Sequence, residues 1–315
     1  MNKTDLTNTS KFLVAEKLFF NGPITERTNL RQFISDTAPY FLCNFIISNG
    51  KFSLKPAVPV LPGGSIDNNA IQIEQLFTGG NIIEDTFKLE YLGAEERRAF
   101  RAVVRYRQER KNKLPEEQVV IVKDAGAISS SKPPGMDVLP EEQFDLTQFC
   151  TSEDHAIKVA KYFLALRGFV THTISFSTTA DGLNVQAGSY IKVITESSPY
   201  SAANNGSVSS SGVVTSVSSM PDGSYDISYF KGDNVDIKTG TMQVSNGIVS
   251  ESTYQDIVFS VQSVSVSENI YIVEQLTFSQ DGIVDIVASE HPCNAEGQSK
   301  IAAAVSDSSG FNIES

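Results

Sequence analysis

The chain has 315 residues, 25 Lys and Arg against 37 Asp and Glu, and a formal charge of −12. That acidic balance excludes a general binder of nucleic acid or anionic membrane, since both need a net basic field. With 40% hydrophobic and 20% charged residues, the composition is that of a folded globular protein long enough for two domains.

No run approaches about 18 consecutive apolar residues, so no transmembrane helix is expected. Glu16 and Lys17 split the first apolar run, which argues against a signal peptide, and the chain is expected to be made and used in solution. Ser10–Phe20 reads as a helix carried by Phe12, Leu13, Phe19 and Phe20, with Asn21-Gly22 as its C-cap and stop before Pro23. Thr28–Asp36 reads as a short helix from a Thr cap, with Leu30, Phe33 and Ile34 at helical spacing. Tyr40–Ser48 and Lys51–Val58 then bracket Asn49-Gly50. Both central residues of a type I′ turn need φ > 0, which Asn tolerates and Gly adopts freely, so a hairpin is predicted here. Ala99–Tyr106 reads as a strand with its arginines outward.

The strongest helix signal is Ser152–Arg167. Thr151 with Asp154 makes a capping-box-like start, and Ala156, Val159, Ala160, Phe163 and Leu166 form one apolar stripe that Arg167-Gly168 closes. Beyond it Val170, His172, Ile174 and Phe176 alternate with polar neighbours, the period of a strand with one buried face. Leu183–Val185 and Tyr190–Thr195 read as a second pair around Gln186-Ala187-Gly188. The serine-rich stretch 197–219 divides into a loop and a strand at Gly212–Ser218. Val213–Ser218 and Ser224–Phe230 read as a hairpin around Pro221-Asp222-Gly223, and Ile270–Phe278 and Ile283–Ala288 as another around Asp281-Gly282. Further Asn-Gly or Asp-Gly pairs stand at 181–182, 205–206 and 246–247.

Little in the string points to reaction chemistry. No phosphate-loop, dinucleotide-binding, nucleophile-elbow or HExxH motif occurs. Cys43, Cys150 and Cys293 are odd in number and far apart, which suits neither a disulfide framework nor a thiolate metal cluster. Cys150 with His155, His291 with Cys293, the pair Glu84-Asp85, Asp226 and the segment Asp233–Asp236 are all read as structural. No catalytic, cofactor-binding or metal-binding residue is expected. Charge is concentrated in one strip, where Arg97, Arg98, Arg101, Arg105, Arg107, Arg110, Lys111 and Lys113 outnumber Glu95, Glu96 and Glu109. The strip is either a solvated face balanced by acidic neighbours or an interface with an acidic partner. It lacks the stacking aromatics and groove-reading helix of a nucleic-acid site.

Four stretches carry a resemblance: NIIEDTFKLEYLGAEERRAFRAVVRYRQE (81–109), FDLTQFCTSEDHAIKVAKYFLALRGFVTHTISFSTT (144–179), DGLNVQAGSYIKVITE (181–196) and YIVEQLTFSQDGIVDIVASEHP (271–292). Together they resemble the central tail-hub, or tail-tip, proteins of tailed bacteriophages, a family that includes the host-specificity or central-fibre proteins of lambda-like phages. Residues 27–59 resemble the hub's earlier helix-and-hairpin module. The third stretch departs from the family by having Gln186-Ala187-Gly188-Ser189 where Pro-Gly-Asp is usual. The resemblance implies an α+β, mostly β fold of hub-like modules with β-barrel-like domains, hairpins and a few short helices. It divides the chain into modules 1–65, 66–150, 151–200, 201–295 and 296–315.

The resemblance also implies homotrimers at the distal end of the tail, in a pseudo-hexameric ring adapting a six-fold tube to a three-fold tip or fibre. Expected partners are further copies of the chain and the tail tube, distal tail, and tip or fibre proteins. The protein is then a virion component assembled in the host cytoplasm, with no membrane insertion, no sequence-specific nucleic-acid binding and no catalytic residues carried over. The chain is short for a complete central fibre, and whether it is one piece of a split hub is left open. Two other classes stay open: a carbohydrate-binding or adhesive β-sheet protein, and a peptidoglycan hydrolase.

Overall fold

The computed structural model describes residues 2–24, 29–48, 51–108, 116–124, 139–195, 205–216, 220–232, 237–261, 269–279, 281–307 and 310–314. Its helices are α1 (Lys3–Ala15), α2 (Leu30–Thr37), α3 (Glu153–Phe169) and α4 (Lys300–Ser306). The first nine strands are β1 (Cys43–Ser48), β2 (Lys51–Pro56), β3 (Gln75–Thr78), β4 (Lys88–Tyr91), β5 (Arg101–Gln108), β6 (Glu116–Asp124), β7 (Glu141–Asp145), β8 (His172–Thr178) and β9 (Tyr190–Ile194). Then come β10 (Asn205–Val208), β11 (Val214–Ser216), β12 (Gly223–Lys231), β13 (Lys238–Val244), β14 (Ile257–Val261), β15 (Ile270–Phe278), β16 (Val284–Glu290) and β17 (Phe311–Glu314). The fold is mostly β with few short helices, as the sequence leads one to expect.

Contacts gather the chain into two compact units, each built from separated segments. The first comprises 1–69, 93–170 and 299–315, and the second 70–92 and 171–298. In the first unit, Asn2 caps α1 by accepting from the Thr4 N–H. The helix ends where Lys17 takes φ 57° and the Leu18 N–H donates to the Leu13 carbonyl, the six-to-one bond of a Schellman motif with Lys in glycine's usual place. The stop therefore lies ahead of Asn21-Gly22, contrary to the sequence expectation. Gly22 serves close approach instead: a Cβ there would lie 1.8 Å from the Gln148 carbonyl oxygen, while the Asn21 N–H donates to the Phe149 carbonyl.

Asn29 caps α2 by accepting from the N–H groups of Arg31 and Gln32, so the cap is not the predicted Thr28, which lies outside the described residues. Leu42 at φ 53° turns the chain into β1. β1 and β2 form the predicted hairpin, with Ser48 opposite Lys51. A four-stranded sheet in the order β17-β6-β5-β7 packs with α1, α3 and α4 around Phe12, Leu18, Leu42, Phe100, Val104, Val122, Leu146, Val159 and Ile301. Helix α3 begins after Ser152, whose side chain makes no capping bond, so the expected Thr151–Asp154 box does not form. It also runs through Gly168 to Phe169, past the predicted end.

The second unit holds a six-stranded sheet, β3-β9-β15-β16-β8-β4, and a five-stranded one, β11-β10-β14-β12-β13. Strand β8 buries His172, Ile174, Phe176 and Thr178, the face its alternation predicts. The β15–β16 hairpin forms around Asp281-Gly282, with Phe278 opposite Val284 and Gly282 at φ 76°. Residues 180–184 are a short 3-10 helix, so Leu183–Val185 is not the strand expected there.

The hairpin predicted at Pro221-Asp222-Gly223 does not form either. Strand β12 pairs with β13 and β14, while β11 lies at the far edge beside β10. The Asp222 carboxylate accepts from the Asn246 N–H at 2.6 Å. The I′-like turn is at Asn246-Gly247, with φ 51° and 72°, across which Ser245 and Ile248 exchange both backbone bonds at 2.9 Å. Asn205-Gly206 is strand rather than turn. Asn205 is fully buried and accepts from the Gly79 N–H at 2.8 Å.

Candidate functional site

The residues that the sequence singled out for chemistry are turned away from one another. The Cys150 thiol donates to the Ser152 carbonyl at 3.3 Å, while His155 Nε2 lies 2.8 Å from the Tyr40 carbonyl oxygen. Burial pushes the Cys150 thiol up to about 11 and pulls the His155 imidazole down. Thiolate and imidazolium are thus both disfavoured, the opposite of an activated pair. The Cys293 thiol donates to the main-chain carbonyl of His291. The His291 ring stands edge-on to Tyr190 with centroids 4.9 Å apart, and burial lowers its pKa to about 4. Among the described residues no three His, Cys, Asp or Glu side chains are grouped to hold a metal ion. Glu84 and Asp85 are exposed, Asp226 accepts from Thr241 at 2.8 Å, and Asp233–Asp236 lies outside the described residues.

Two residues of the basic strip pair within their own unit, while Arg97 is exposed. Arg98 pairs with Glu95 at 3.5 Å, and Arg101 with Glu141 from the neighbouring strand β7. Arg167, at the end of α3, takes both carboxylate oxygens of Glu142 while lying 4.2 Å over the Phe100 ring. A flat guanidinium suits that double engagement of a carboxylate and an aromatic face. Arg105 is exposed opposite Asp145 in the β5–β7 register. Thr147, donating from its hydroxyl and its N–H, holds the Asp145 carboxyl below its usual range, with Arg105 adding to the effect. Arg110, Lys111 and Lys113 lie outside the described residues.

One polar cluster was not legible in advance. The Glu290 carboxylate accepts from the Thr171 N–H at 2.7 Å and the Thr171 hydroxyl at 2.5 Å, and stands 3.3 Å from His172 Nδ1. His172 Nε2 meets the Tyr271 hydroxyl at 3.0 Å. Burial opposes the charge on Glu290, but the bonds from His172 and Thr171 outweigh it and the carboxyl stays below its ordinary range. Register explains the gathering: Tyr91 pairs with His172 across β4–β8, and Tyr271 with Glu290 across β15–β16. His172 and Tyr271 are buried, Thr171 and Glu290 half-buried, and the cluster ties the strands together. An inward-facing histidine on an alternating strand was its one visible signal.

What the surface does present is apolar side chains in cross-strand pairs. Ile47 and Phe52 oppose each other on the β1–β2 hairpin and are 51% and 38% exposed. Val213 and Ile248, joined by a bridge in the second unit, are 48% and 47% exposed. Tyr91 on the edge strand β4 and Phe278 at the end of β15 are exposed as well. Edge strands leave one row of N–H and C=O groups open to pairing, and exposed apolar pairs beside them favour contact with another protein surface.

No family model matches the chain, and no curated protein matches it. Solved structures do. A chain of the virion of a native gene transfer agent particle is 8% identical, with TM-score 0.39 over 91% of this chain and 46% of that one. The tail protein from Neisseria meningitidis MC58 is 10% identical, with TM-score 0.36 over 93% of this chain and 68% of that one. The 43 kDa tail protein of prophage MuSo2 from Shewanella oneidensis is 7% identical, with TM-score 0.33 over 85% of this chain and 54% of that one. The chain thus spans about half the length of the first and third of these proteins.

Proposed function

We propose that this chain is a structural component of a bacteriophage tail tip, a baseplate or tail-hub protein that links the tail tube to the distal tip or fibre during host attachment and DNA delivery. One observation carries the reading. The four stretches that resemble hub proteins are scattered between residues 81 and 292; they supply β4, β8, β9, β15 and β16, five of the six strands of one sheet, as well as α3 and β5 of the first unit. A resemblance that arose by chance in four separate strings has no reason to account for nearly all of one sheet. The protein acts by contact, as a homotrimer in the virion at the distal end of the tail, and turns over no substrate.

The exposed pairs Ile47–Phe52 and Val213–Ile248 suit such contacts, because burying an apolar side chain yields on the order of 1.5–3 kcal/mol. A closed ring satisfies them without open-ended polymerisation. The test is the mass of the purified protein by light scattering, with negative-stain images of the same sample. A three-chain mass or ring particles support the proposal. A strict monomer that binds sugars on a glycan array supports the adhesive reading instead, and clearing of a peptidoglycan zymogram the hydrolase.

A further inference from the structure

Strand β17 holds its place in the four-stranded sheet through residues 311–314. Phe311–Glu314 runs antiparallel to β6, with Phe311 opposite Asp124 and Glu314 opposite Ile121. It thereby covers four of the nine residues of β6, leaving Glu116–Val120 beyond its register, where Val119 is 42% exposed. Phe311 packs on the core of its unit, and its ring lies 5.7 Å from the Nζ of the buried Lys161. Glu314 pairs with Lys123. Asn312 and Ile313 are exposed, so the segment is recognised by an aromatic anchor at one end and a carboxylate at the other, with backbone bonds between. The sequence joining it to α4, Asp307-Ser308-Ser309-Gly310, contains no apolar side chain.

We propose that the outer edge of β6 is a strand-acceptor site, and that in the assembled protein it takes the Phe311–Glu314 segment of a second copy of this chain. The recognising groups are Lys123, Lys161 and the β6 backbone, and the matching features are an aromatic, a two-residue spacer and an acid. A second copy carries those features in the same order, so exchange makes the same contacts and forfeits none. Within one chain the segment is present at an effective concentration of the order of mM. Exchange is therefore a minor event between free chains and is populated once copies are held side by side, where the partner's segment reaches a comparable effective concentration. This site stands on the geometry of β6 and β17 and does not depend on the tail-tip reading.

Disulfide trapping separates the two arrangements, because Lys123 and Asn312 are direct cross-strand partners at a spacing a disulfide can bridge. The native cysteines are buried and compete poorly. K123C and N312C proteins are mixed and oxidised slowly, so that even a minor exchanged population is captured. The expected result is a two-chain disulfide band in the mixture that exceeds the band from either variant alone, and its loss when the second chain is F311D/N312C. In the double variant K123C/N312C the same oxidation should also close the bond within one chain. A mixture no richer in two-chain product than its components, a band that survives F311D, or a double variant that fails to close would each overturn the proposal.

Discussion

Lys158 on α3 reaches back to Glu16 at the end of α1, with Nζ 2.6 Å from the carboxylate and 3.0 Å from the Glu16 main-chain oxygen. The other carboxylate oxygen of Glu16 accepts from the Ile66 N–H at 3.1 Å. One half-buried side chain thus fastens the terminus of a helix, a second helix and a loop. In the sequence Glu16 is the residue that spoils the apolar spacing of the first predicted helix. Its place is explained by its partners.

Removing one member of this pair should be costlier than removing both. Lys158→Met leaves a half-buried carboxylate without its cation, and a loss of about 2–3 kcal/mol is expected from the desolvated partner left behind. The double variant Glu16→Leu with Lys158→Met should recover part of that loss. Urea unfolding followed on the first unit measures both, and a double variant as unstable as the sum of the singles would contradict the coupling.

Acid should weaken the second unit in a definite window. His291 is buried, and burial lowers its pKa to about 4, against roughly 6.5 when unfolded. Between those values the unfolded chain binds the extra proton, so stability rises with pH across the window and falls as pH drops through it. The full effect is about 3 kcal/mol, reached below pH 4. Glu290 adds a loss in the same direction at lower pH, since its depressed carboxyl must be protonated. His291→Asn should flatten the slope between pH 6.5 and 4 while leaving the lower-pH loss in place, as read from urea midpoints at a series of pH values.

Gly22 and Gly63 stand in different surroundings, and alanine substitutions should show it. At Gly22 the added methyl would press on the Gln148 carbonyl, whereas nothing lies within 4 Å at Gly63. Gly22→Ala must displace backbone on one side or the other, at a cost of roughly 2–4 kcal/mol. Gly63→Ala should be within about 0.5 kcal/mol of neutral. Thermal midpoints of the two variants give the comparison directly.

These glycines also show where the sequence was readable and where it was not. Two local signals sufficed for the β1–β2 and β15–β16 hairpins, and the inward face of β8 followed from its alternation. The same dipeptide chemistry misled at Asn21-Gly22, and Asn205-Gly206, in the stretch read as loop, is strand. At both, glycine is needed because another backbone passes close by: that of Gln148, far along the chain, at Gly22, and that of Thr215 on the neighbouring strand β11 at Gly206. At residues 213–230 the local signals favoured a hairpin between neighbours. The Asp222 bond to the Asn246 N–H and the turn at Asn246-Gly247 instead give β12 its partner in β13. The Thr171–His172–Glu290–Tyr271 cluster depends on the register of β8 against the β15–β16 hairpin, about a hundred residues further on, and no window of sequence contains that information.

The exposed apolar pairs offer the sharpest separation of folding from assembly. Ile47 and Val213 are about half exposed, so Ile47→Lys and Val213→Lys should each change unfolding free energy by no more than about 0.5 kcal/mol. If those side chains are covered in an oligomer, the same substitutions place a charge in a desolvated contact, which costs several kcal/mol per interface unless it is paired. The expected outcome is an unchanged thermal midpoint for the isolated chain, together with a fall in light-scattering mass toward a single chain. A loss of mass with the midpoint intact assigns the affected pair to a contact surface. Retention of the multimeric mass by both variants would place the contacts on other elements, with the edge strands β4 and β13 as the next to be altered.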